Sequence, residues 1–479
     1  MSRTSNVQDK AGPAGPAALL GGVVLLALAP VLRGSDYFIA LIPLELISLA
    51  ILVALGTRAA FGAAPAFAGR HFDKLVPWVL ASPVLIALAQ LMPIPADWWA
   101  QLPEHSKYVA AMDALGIPAA KWRPVSISPD ATRASLLAGI PLIAAFLLGY
   151  LATVRQSRLL MRIVAVVAFA EVALALLQLS GGERSPFYFG MLTYGSPIGS
   201  MGTRNELANL LALALAGYIW LTYDDVRYSM RFQPGAPLTQ GRFDDRHAFA
   251  VWVTGGLVLV IGILITHSRA GASFGLSCAA LAVAAAGLRV FGWTRGWRFA
   301  LPAVALVSIA AVSMVGVDAL VLRLTGGDLQ SSAGFRGELW RSSWQAALQF
   351  MPFGSGWGTY DIAYRPFQAA RIAGYPNHAH MDYLEMLLEG GMLFVVFGGC
   401  FAWLLMRRAT LLASQALRER TLDRESMMSA ICGIGLLGFL LHAAVDFPMR
   451  VPANAILAAL FAGAFLRPLP PAKKPGVSP

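Results

Sequence analysis

Residues 376–406 read PNHAHMDYLEMLLEGGMLFVVFGGCFAWLLM. The first half of this stretch carries two histidines and three carboxylates, and the second half, from residue 392 onward, carries no charged residue. The second half is apolar enough to lie in a lipid bilayer as a helix. Ionisable side chains at the edge of a bilayer are costly, and they are retained mostly where they meet water, a partner or a substrate. The stretch therefore predicts a membrane helix that begins beside a polar site.

The composition of the whole chain is that of an integral membrane protein. Of its 479 residues, 57% are hydrophobic and 13% are charged, and the mean hydropathy is +0.62. So few charged residues leave too little polar surface for a soluble protein of this length. Apolar runs of about 20 residues, the length of a helix that crosses a bilayer, recur along the chain. We therefore predict an all-α, polytopic membrane protein.

The apolar runs predict twelve transmembrane helices. They lie approximately at residues 16–32, 36–55, 75–92, 134–153, 163–179, 206–222, 250–267, 271–288, 299–317, 385–405, 428–445 and 451–466. If the N-terminus is cytoplasmic, the cytoplasmic segments hold 23 of the 37 Lys and Arg residues and the outer segments hold 14. Nine of those 14 lie in two long loops, where the positive-inside rule has little force. We therefore expect both termini in the cytoplasm.

This topology also explains the net charge of +11, because basic residues near the cytoplasmic surface interact with anionic lipid. No basic stretch alternates with aromatic residues as on a nucleic-acid surface, so no nucleic-acid partner is predicted.

The predicted topology divides the chain into five parts. These are a cytoplasmic tail at 1–15, nine helices in 16–317 with an outer loop at 93–133, a large outer loop at 318–384, three helices in 385–466 and a cytoplasmic tail at 467–479. Loops as long as the two outer ones are uncommon and tend to be functional. Within the large loop, Trp340, Trp344, Leu348 and Met351 share one face at helical spacing. This pattern predicts a helix that lies flat at the outer interface.

The best candidate for chemistry is His380, at the start of the tenth predicted helix. At helical spacing, Asp382, Glu385 and Glu389 share a stripe beside the stripe that begins at His380. A histidine titrates near neutral pH, and a carboxylate can hold the tautomer that leaves one ring nitrogen free to act as a base. The alternative is an acidic cap on a membrane helix with incidental histidines.

Several other polar residues fall on the same predicted side of the membrane. Arg269 occupies a very short turn, where a snorkelling arginine is the alternative to a ligand. Arg204 stands at a helix N-terminus, which favours an anion but is also an ordinary helix start. His442 and Asp446, one helical turn apart and followed by Arg450, are interpreted as a structural polar network.

The outer loops contain none of the common metal-binding patterns: no Asp-x-Asp pair, no HExxH and no Cys/His cluster. A donor that carries a diphosphate could instead be held by arginines, whose planar guanidinium groups pair with phosphate oxygens through two hydrogen bonds. One histidine would then suffice to deprotonate an acceptor hydroxyl.

Together these motifs resemble the O-antigen ligase and polymerase superfamily. HAHMDYLEMLLEGG is similar to the family's histidine motif, with His380, Met381 and Gly391 at its defining positions, although Met381 stands where the family usually has Asn, Ser or Gln. HSRAG resembles the family's Ser-Arg-Gly turn, FRGELW its Arg-x-x-x-Trp segment, and TRNELAN its Asn-rich element. WRPVSISPDATR and HAAVDFPMRVPAN also resemble family stretches, so the likeness spans roughly residues 120–460.

The resemblance implies a glycosyltransferase of the bacterial inner membrane with its active site on the periplasmic side. Such an enzyme transfers a glycan from an undecaprenyl-diphosphate carrier to a hydroxyl of lipid A-core, with inversion and without a metal or other cofactor. It implies His380 as the catalytic base and Arg269 and Arg336 as diphosphate ligands. Further candidate substrate ligands are Arg204, Arg341, His378 and Asp382.

Three alternatives to this ligase activity remain open. A polymerase of the same superfamily would join carrier-linked chains to one another, and a related enzyme would glycosylate a protein. A twelve-helix transporter has a similar layout, but the charged residues gather at the outer face and not at mid-bilayer, where a carrier binds its cargo.

Overall fold

The computed structural model describes residues 14–34, 38–61, 73–118, 120–191, 195–229, 243–291, 305, 332–372, 374–419 and 422–468. The ninth predicted span, residues 299–317, lies outside the described residues apart from residue 305, as do both predicted tails for most of their length. The same holds for the first part of the large loop, from residue 318 to residue 331.

The described chain is almost entirely helical, as predicted. Its helices are α1 (Gly15–Leu28), α2 (Val31–Gly34), α3 (Phe38–Ala60), α4 (Leu75–Gln90), α5 (Ala96–Gln101), α6 (His105–Ala114), α7 (Pro129–Ala138), α8 (Ile140–Leu151), α9 (Val154–Ser180), α10 (Arg204–Asp224), α11 (Phe243–Ile265), α12 (Leu276–Phe291), α13 (Ser332–Gln349), α14 (Tyr360–Tyr364), α15 (Asp382–Glu419), α16 (Arg424–Ala443) and α17 (Pro452–Leu466). Two short strands, β1 (Pro93–Pro95) and β2 (Trp122–Pro124), pair antiparallel with Ile94 opposite Arg123.

Eight segments of the described chain are long and apolar enough to cross a membrane, and three shorter apolar helices, α1, α4 and α17, accompany them. Each of these segments coincides with a predicted span, so the all-α membrane class is confirmed. The total of twelve spans stays a prediction, because the ninth lies outside the described residues.

Helix α10 lies at the centre of the bundle, with 83% of its apolar window buried against other helices. It packs against α9, α11, α12 and α16. On one side of the bundle, α8 and α17 cross so closely that a Cβ at Gly463 would overlap the backbone at Tyr150 and Phe146. Such small-residue contacts are typical of membrane helices, where close backbone approach replaces the hydrophobic driving force. The result is a rigid framework that fixes the N-terminal end of α10.

The two long loops pack against each other at one end of the bundle. Ile127 donates its backbone N–H to Ser355 O at 3.0 Å, and the Thr132 hydroxyl donates to Trp357 O at 3.0 Å. The Gln90 side chain donates to Glu389 O at 2.7 Å and accepts from the Trp357 backbone N–H at 2.9 Å. These hydrogen bonds join the end of α4 to the start of α15.

Helix α13 is present as predicted, but its buried face differs from the predicted apolar stripe. Leu339, Ala346 and Phe350 lie in a second hydrophobic core together with Tyr360 and Tyr364 of α14. Small side chains on this face let α13 pack against α15.

Trp344 and Leu348 of α13 are about half exposed, with relative accessibilities of 51% and 52%. Large apolar side chains at the edge of a membrane bundle suit the lipid interface. The interfacial position of α13 stays a prediction, whereas Trp340 lies at the functional site, where it donates to the His380 carbonyl.

Gly391, the last residue of the histidine motif, interrupts α15. Its φ of 56° and ψ of −141° are not helical, so α15 consists of two helical segments joined there. A Cβ at this position would lie 2.6 Å from Gly354 N, because the loop at residues 352–354 passes directly over it. Met392 donates its backbone N–H to Pro352 O at 2.8 Å. The motif glycine is thus required by a left-handed conformation and by close backbone packing.

Gly391→Ala should therefore lower the free energy of unfolding by more than about 1 kcal/mol, the usual penalty for a left-handed non-glycine residue. The overlap of the new Cβ with the backbone of residue 354 should add to this loss. Gly399→Ala is a matched control, because Gly399 lies in the same helix with open space around its Cα. Thermal unfolding of the purified variants in detergent measures both. Equal unfolding midpoints for the two variants would contradict this reading of the motif.

Candidate functional site

His380 lies in the loop that precedes α15, and its backbone adopts the left-handed conformation with φ of 51°. A right-handed helix cannot pass through this conformation, so α15 begins at Asp382 and the predicted helical stripe through His380 is wrong. Trp340 Nε1 donates to the His380 carbonyl at 3.2 Å, which fixes the backbone against α13. The imidazole is 32% exposed, so a substrate can reach it.

The His380 imidazole is oriented by Asp446, which lies in the turn after α16. His380 Nδ1 and Asp446 Oδ1 are 3.1 Å apart. Because a carboxylate can only accept, the imidazole carries its proton on Nδ1 and leaves Nε2 with a free lone pair. This is the arrangement of a general base held in one tautomer.

Asp446 is itself held in place from three directions. Asn205 Nδ2, in the first turn of α10, donates to Asp446 Oδ2 at 2.5 Å, and the Phe447 backbone N–H donates to Oδ1 at 3.1 Å. The Asp382 backbone N–H donates to the Asp446 carbonyl at 3.2 Å. The side chain is only 7% exposed.

Burial alone would raise the pKa of the Asp446 carboxyl, but the hydrogen bond from His380 and the positive charges of neighbouring side chains outweigh it, so the pKa lies below its usual value. Asp446 is therefore ionised at neutral pH. An ionised carboxylate at this place can stabilise the imidazolium that forms when His380 takes up a proton.

A second histidine and carboxylate pair lies on the other side of Phe447. His378 Nδ1 is 3.1 Å from Glu385 Oε1, and the Ala379 backbone N–H donates to Glu385 Oε2 at 2.9 Å. The Phe447 ring stacks on the His378 ring at 4.4 Å and meets the His380 ring edge-on at 4.9 Å. Both imidazoles are thus fixed by an acid on one side and by a shared aromatic ring on the other.

Three buried carboxylates, Asp382, Glu385 and Glu389, lie on one face of α15, as the sequence predicts. Arg450 neutralises two of them: its Nε lies 2.9 Å from Glu385 Oε1, and its Nη2 pairs with Glu389 Oε2. The nearby carboxylates outweigh the effect of burial and raise the pKa of the Arg450 guanidinium. Asp382, a predicted substrate ligand, is fully buried and accepts the Met449 backbone N–H at 2.8 Å.

The arginines predicted to hold a diphosphate occupy different surroundings. Arg336 Nη2 of α13 lies 3.9 Å from Asp446 Oδ2, so the guanidinium is close to the carboxylate that orients His380, and the side chain is 30% exposed. Arg204 is exposed at the start of α10, and its Nη1 donates to Ser196 Oγ at 3.3 Å. Arg341 is exposed and pairs with Glu338 one turn earlier at 3.3 Å.

Arg269 is exposed in the turn between α11 and a π-helical segment, Gly271–Gly275, that leads into α12. Gly271 packs tightly against Ala208 of α10, where a Cβ could not fit. Ala208 adjoins Asn209 and lies one turn from Asn205, so the Arg269 turn borders the same end of α10 that supports Asp446. Among the described residues, no group of three His, Cys, Asp or Glu side chains is placed to hold a metal ion.

Residues 254–414 match the O-antigen ligase family. This match supports a likeness of the chain to the O-antigen ligase-like superfamily. The matched segment runs from α11 into α15 and includes Arg269, Arg336, Arg341, His378 and His380. Among curated proteins, none matches this chain.

The family match and the apolar helices together indicate a multi-pass membrane protein. The family match ends before Asp446, the residue that orients His380. The spacing of His442 and Asp446 is the available signal in the sequence, and by itself it favours a structural network. What the spacing could not indicate is that this network ends on His380, 66 residues earlier in the chain.

Met381, the departure from the usual motif, contributes through its backbone. Its carbonyl accepts the N–H groups of Leu384 and Glu385 at 3.1 Å, which starts α15, and its side chain packs against the second hydrophobic core. The side chain therefore serves packing, and no hydrogen bond to His380 is required of it.

Proposed function

We propose that this protein transfers a glycan from an undecaprenyl-diphosphate carrier to the hydroxyl of an acceptor, lipid A-core in the first instance, at the periplasmic face of the inner membrane. The observation that carries the proposal is the contact between His380 Nδ1 and the buried Asp446 carboxylate, which leaves Nε2 as an exposed base. The match of residues 254–414 to the O-antigen ligase family supports the substrate class.

In the proposed reaction, His380 Nε2 removes the proton of the acceptor hydroxyl as its oxygen attacks the anomeric carbon of the donor glycan. The bond from that carbon to the diphosphate oxygen breaks, and the carrier diphosphate leaves as an anion. A single displacement of this kind inverts the anomeric configuration. The proton on Nε2 is then lost to water, and Asp446 stabilises the imidazolium in the interval.

The leaving diphosphate requires cationic partners in both the bound donor and the transition state. Arg336 fits this role best, because its guanidinium lies beside the His380 site and is open to solvent. Arg269 and Arg204 border the same end of α10 and would bind outer phosphate oxygens. His378 would contact the sugar next to the reacting one, since its ring is partly exposed beside Phe447.

Arg336→Ala should lower kcat/KM for the donor by roughly 10- to 100-fold, the effect of losing one or two charged hydrogen bonds, and should change both kcat and KM. Arg336→Lys should restore only part of the loss, because an ammonium group cannot form the paired contacts of a guanidinium. Arg341→Ala, in the same helix, should have a smaller effect because Arg341 already pairs with Glu338 at the surface. Equal effects of the two alanine variants would exclude the special role of Arg336.

A polymerase of the same superfamily is the second candidate, because it uses the same donor chemistry with a carrier-linked glycan as acceptor. Purified protein in liposomes, supplied with lipid-linked donor and a panel of acceptors, separates the two. Product on lipid A-core supports the ligase, longer carrier-linked chains indicate the polymerase, and a mass increase on a protein acceptor indicates protein glycosylation. Failure to consume donor with every acceptor would refute glycan transfer.

A further inference from the structure

His442, in the last turn of α16, is the least explained ionisable residue near the site. It is 3% exposed, and it lines two small cavities, one of which it shares with Asp446. Asn209 Nδ2 of α10 lies 3.0 Å from His442 Nδ1. Because the amide nitrogen is a donor, Nδ1 accepts, and the proton of the neutral imidazole is on Nε2.

The Nε2 atom of His442 lies near the Asp446 carboxylate. Among the described residues, His442 Nε2 has no hydrogen-bond partner, and it lies 3.9 Å from Asp446 Oδ2. Both residues line the cavity that also includes Thr203, Asn205 and Glu206. A buried donor without a partner is costly, so an imidazole used only for packing would be better replaced by an apolar side chain.

We propose that His442 is a positioning residue that acts on His380 through Asp446. Its Nε2–H group donates to Asp446 Oδ2, either after a small shift of the two side chains or through one water molecule in their shared cavity. Together with Asn205, it fixes the carboxylate so that Oδ1 faces His380. This inference rests on the proposed function, because it assigns a role within the same site.

The arrangement forms one continuous chain of four side chains: Asn209, His442, Asp446 and His380. Its members come from α10, from α16 and the turn that follows, and from the loop before α15. A helix that is largely buried in the bundle, α10, therefore sets the orientation of the base. A substitution of Asn209 or His442 should therefore change the rate of glycan transfer without altering any side chain that contacts a substrate.

The test is a double-mutant cycle between His442 and Asp446. His442→Leu removes the donor at similar volume and should lower kcat by roughly 10- to 100-fold with donor and acceptor KM unchanged, because the base is misoriented but the substrates are still bound. His442→Gln keeps a donor and an acceptor on the side chain and should retain most of the activity. In an Asp446→Asn background, His442→Leu should have almost no further effect.

If His442→Leu does not fold, Asn209→Ala is a second test. It removes the hydrogen bond that fixes the tautomer of His442 and leaves the His442 side chain unchanged. It should lower kcat and leave KM unchanged. Equal losses from His442→Leu in the wild-type and Asp446→Asn backgrounds would overturn the proposal, as would an unchanged kcat. His380→Ala separates this outcome from failure of the proposed function. If His380→Ala is inactive while the double-mutant cycle is additive, only the positioning role of His442 is refuted. If His380→Ala is fully active, the assignment of His380 as the base is refuted.

Discussion

His380→Ala should reduce the rate of glycan transfer by about 10²- to 10⁴-fold, the usual contribution of a positioned general base. The loss should appear in kcat, while KM for the donor stays close to the wild-type value, because the diphosphate is held by arginines and not by the imidazole. Initial rates measured with purified protein in liposomes, over a range of donor concentrations, separate the two parameters.

The matched control for this variant is Asn377→Ala, since Asn377 is exposed in the same loop three residues before His380. It should transfer glycan at close to the wild-type rate. A similar loss in both variants would mean that the loop as a whole, and not the imidazole, is sensitive to substitution.

Arg450→Ala should lower the free energy of unfolding by about 3 to 5 kcal/mol, the cost of removing one partner of a buried ion pair. The variant leaves Glu385 and Glu389 without their cation in a region that is almost inaccessible to water. Because Glu389 also accepts the Tyr360 backbone N–H at 3.1 Å, the packing of α14 against α15 should loosen with it. Thermal unfolding in detergent, together with proteolysis of the long loops, measures both effects.

Arg133→Ala is the control for this experiment, because Arg133 forms an exposed pair with Asp130 at 2.8 Å. Exposed pairs contribute little, so its unfolding midpoint should stay near that of the wild type. Addition of Glu385→Gln to Arg450→Ala should recover part of the stability, since one unpaired buried charge is then removed. A wild-type midpoint for Arg450→Ala would show that the buried cluster does not stabilise the fold.

The membrane class and the approximate helix positions could be predicted because long apolar runs have few physical alternatives. The same holds for the stripe of Asp382, Glu385 and Glu389, which follows from helical periodicity. Periodicity could not show that His380 lies outside the helix. A residue in the left-handed conformation cannot belong to a right-handed helix, but at His380 no glycine marks that conformation in the sequence.

The contacts that define the site depend on tertiary packing. Asp446 reaches His380 only because the turn after α16 packs beside the start of α15. Asn205 reaches Asp446 only because α10 packs against α16. The sequence singles out His380, His442 and Asp446, and their common side of the membrane stays a prediction. The sequence could not determine which carboxylate pairs with which histidine, because several pairings satisfy the same spacing.

The most direct test of the central role of His380 is a single-turnover experiment. Protein is loaded with undecaprenyl-diphosphate-linked glycan, bound donor is quantified, and glycosylated acceptor and released carrier diphosphate are followed after acceptor is added. The account predicts that His380→Ala binds the donor as the wild type does but forms product at least about 10²-fold more slowly. Product formation at the wild-type rate by the donor-loaded variant would contradict it.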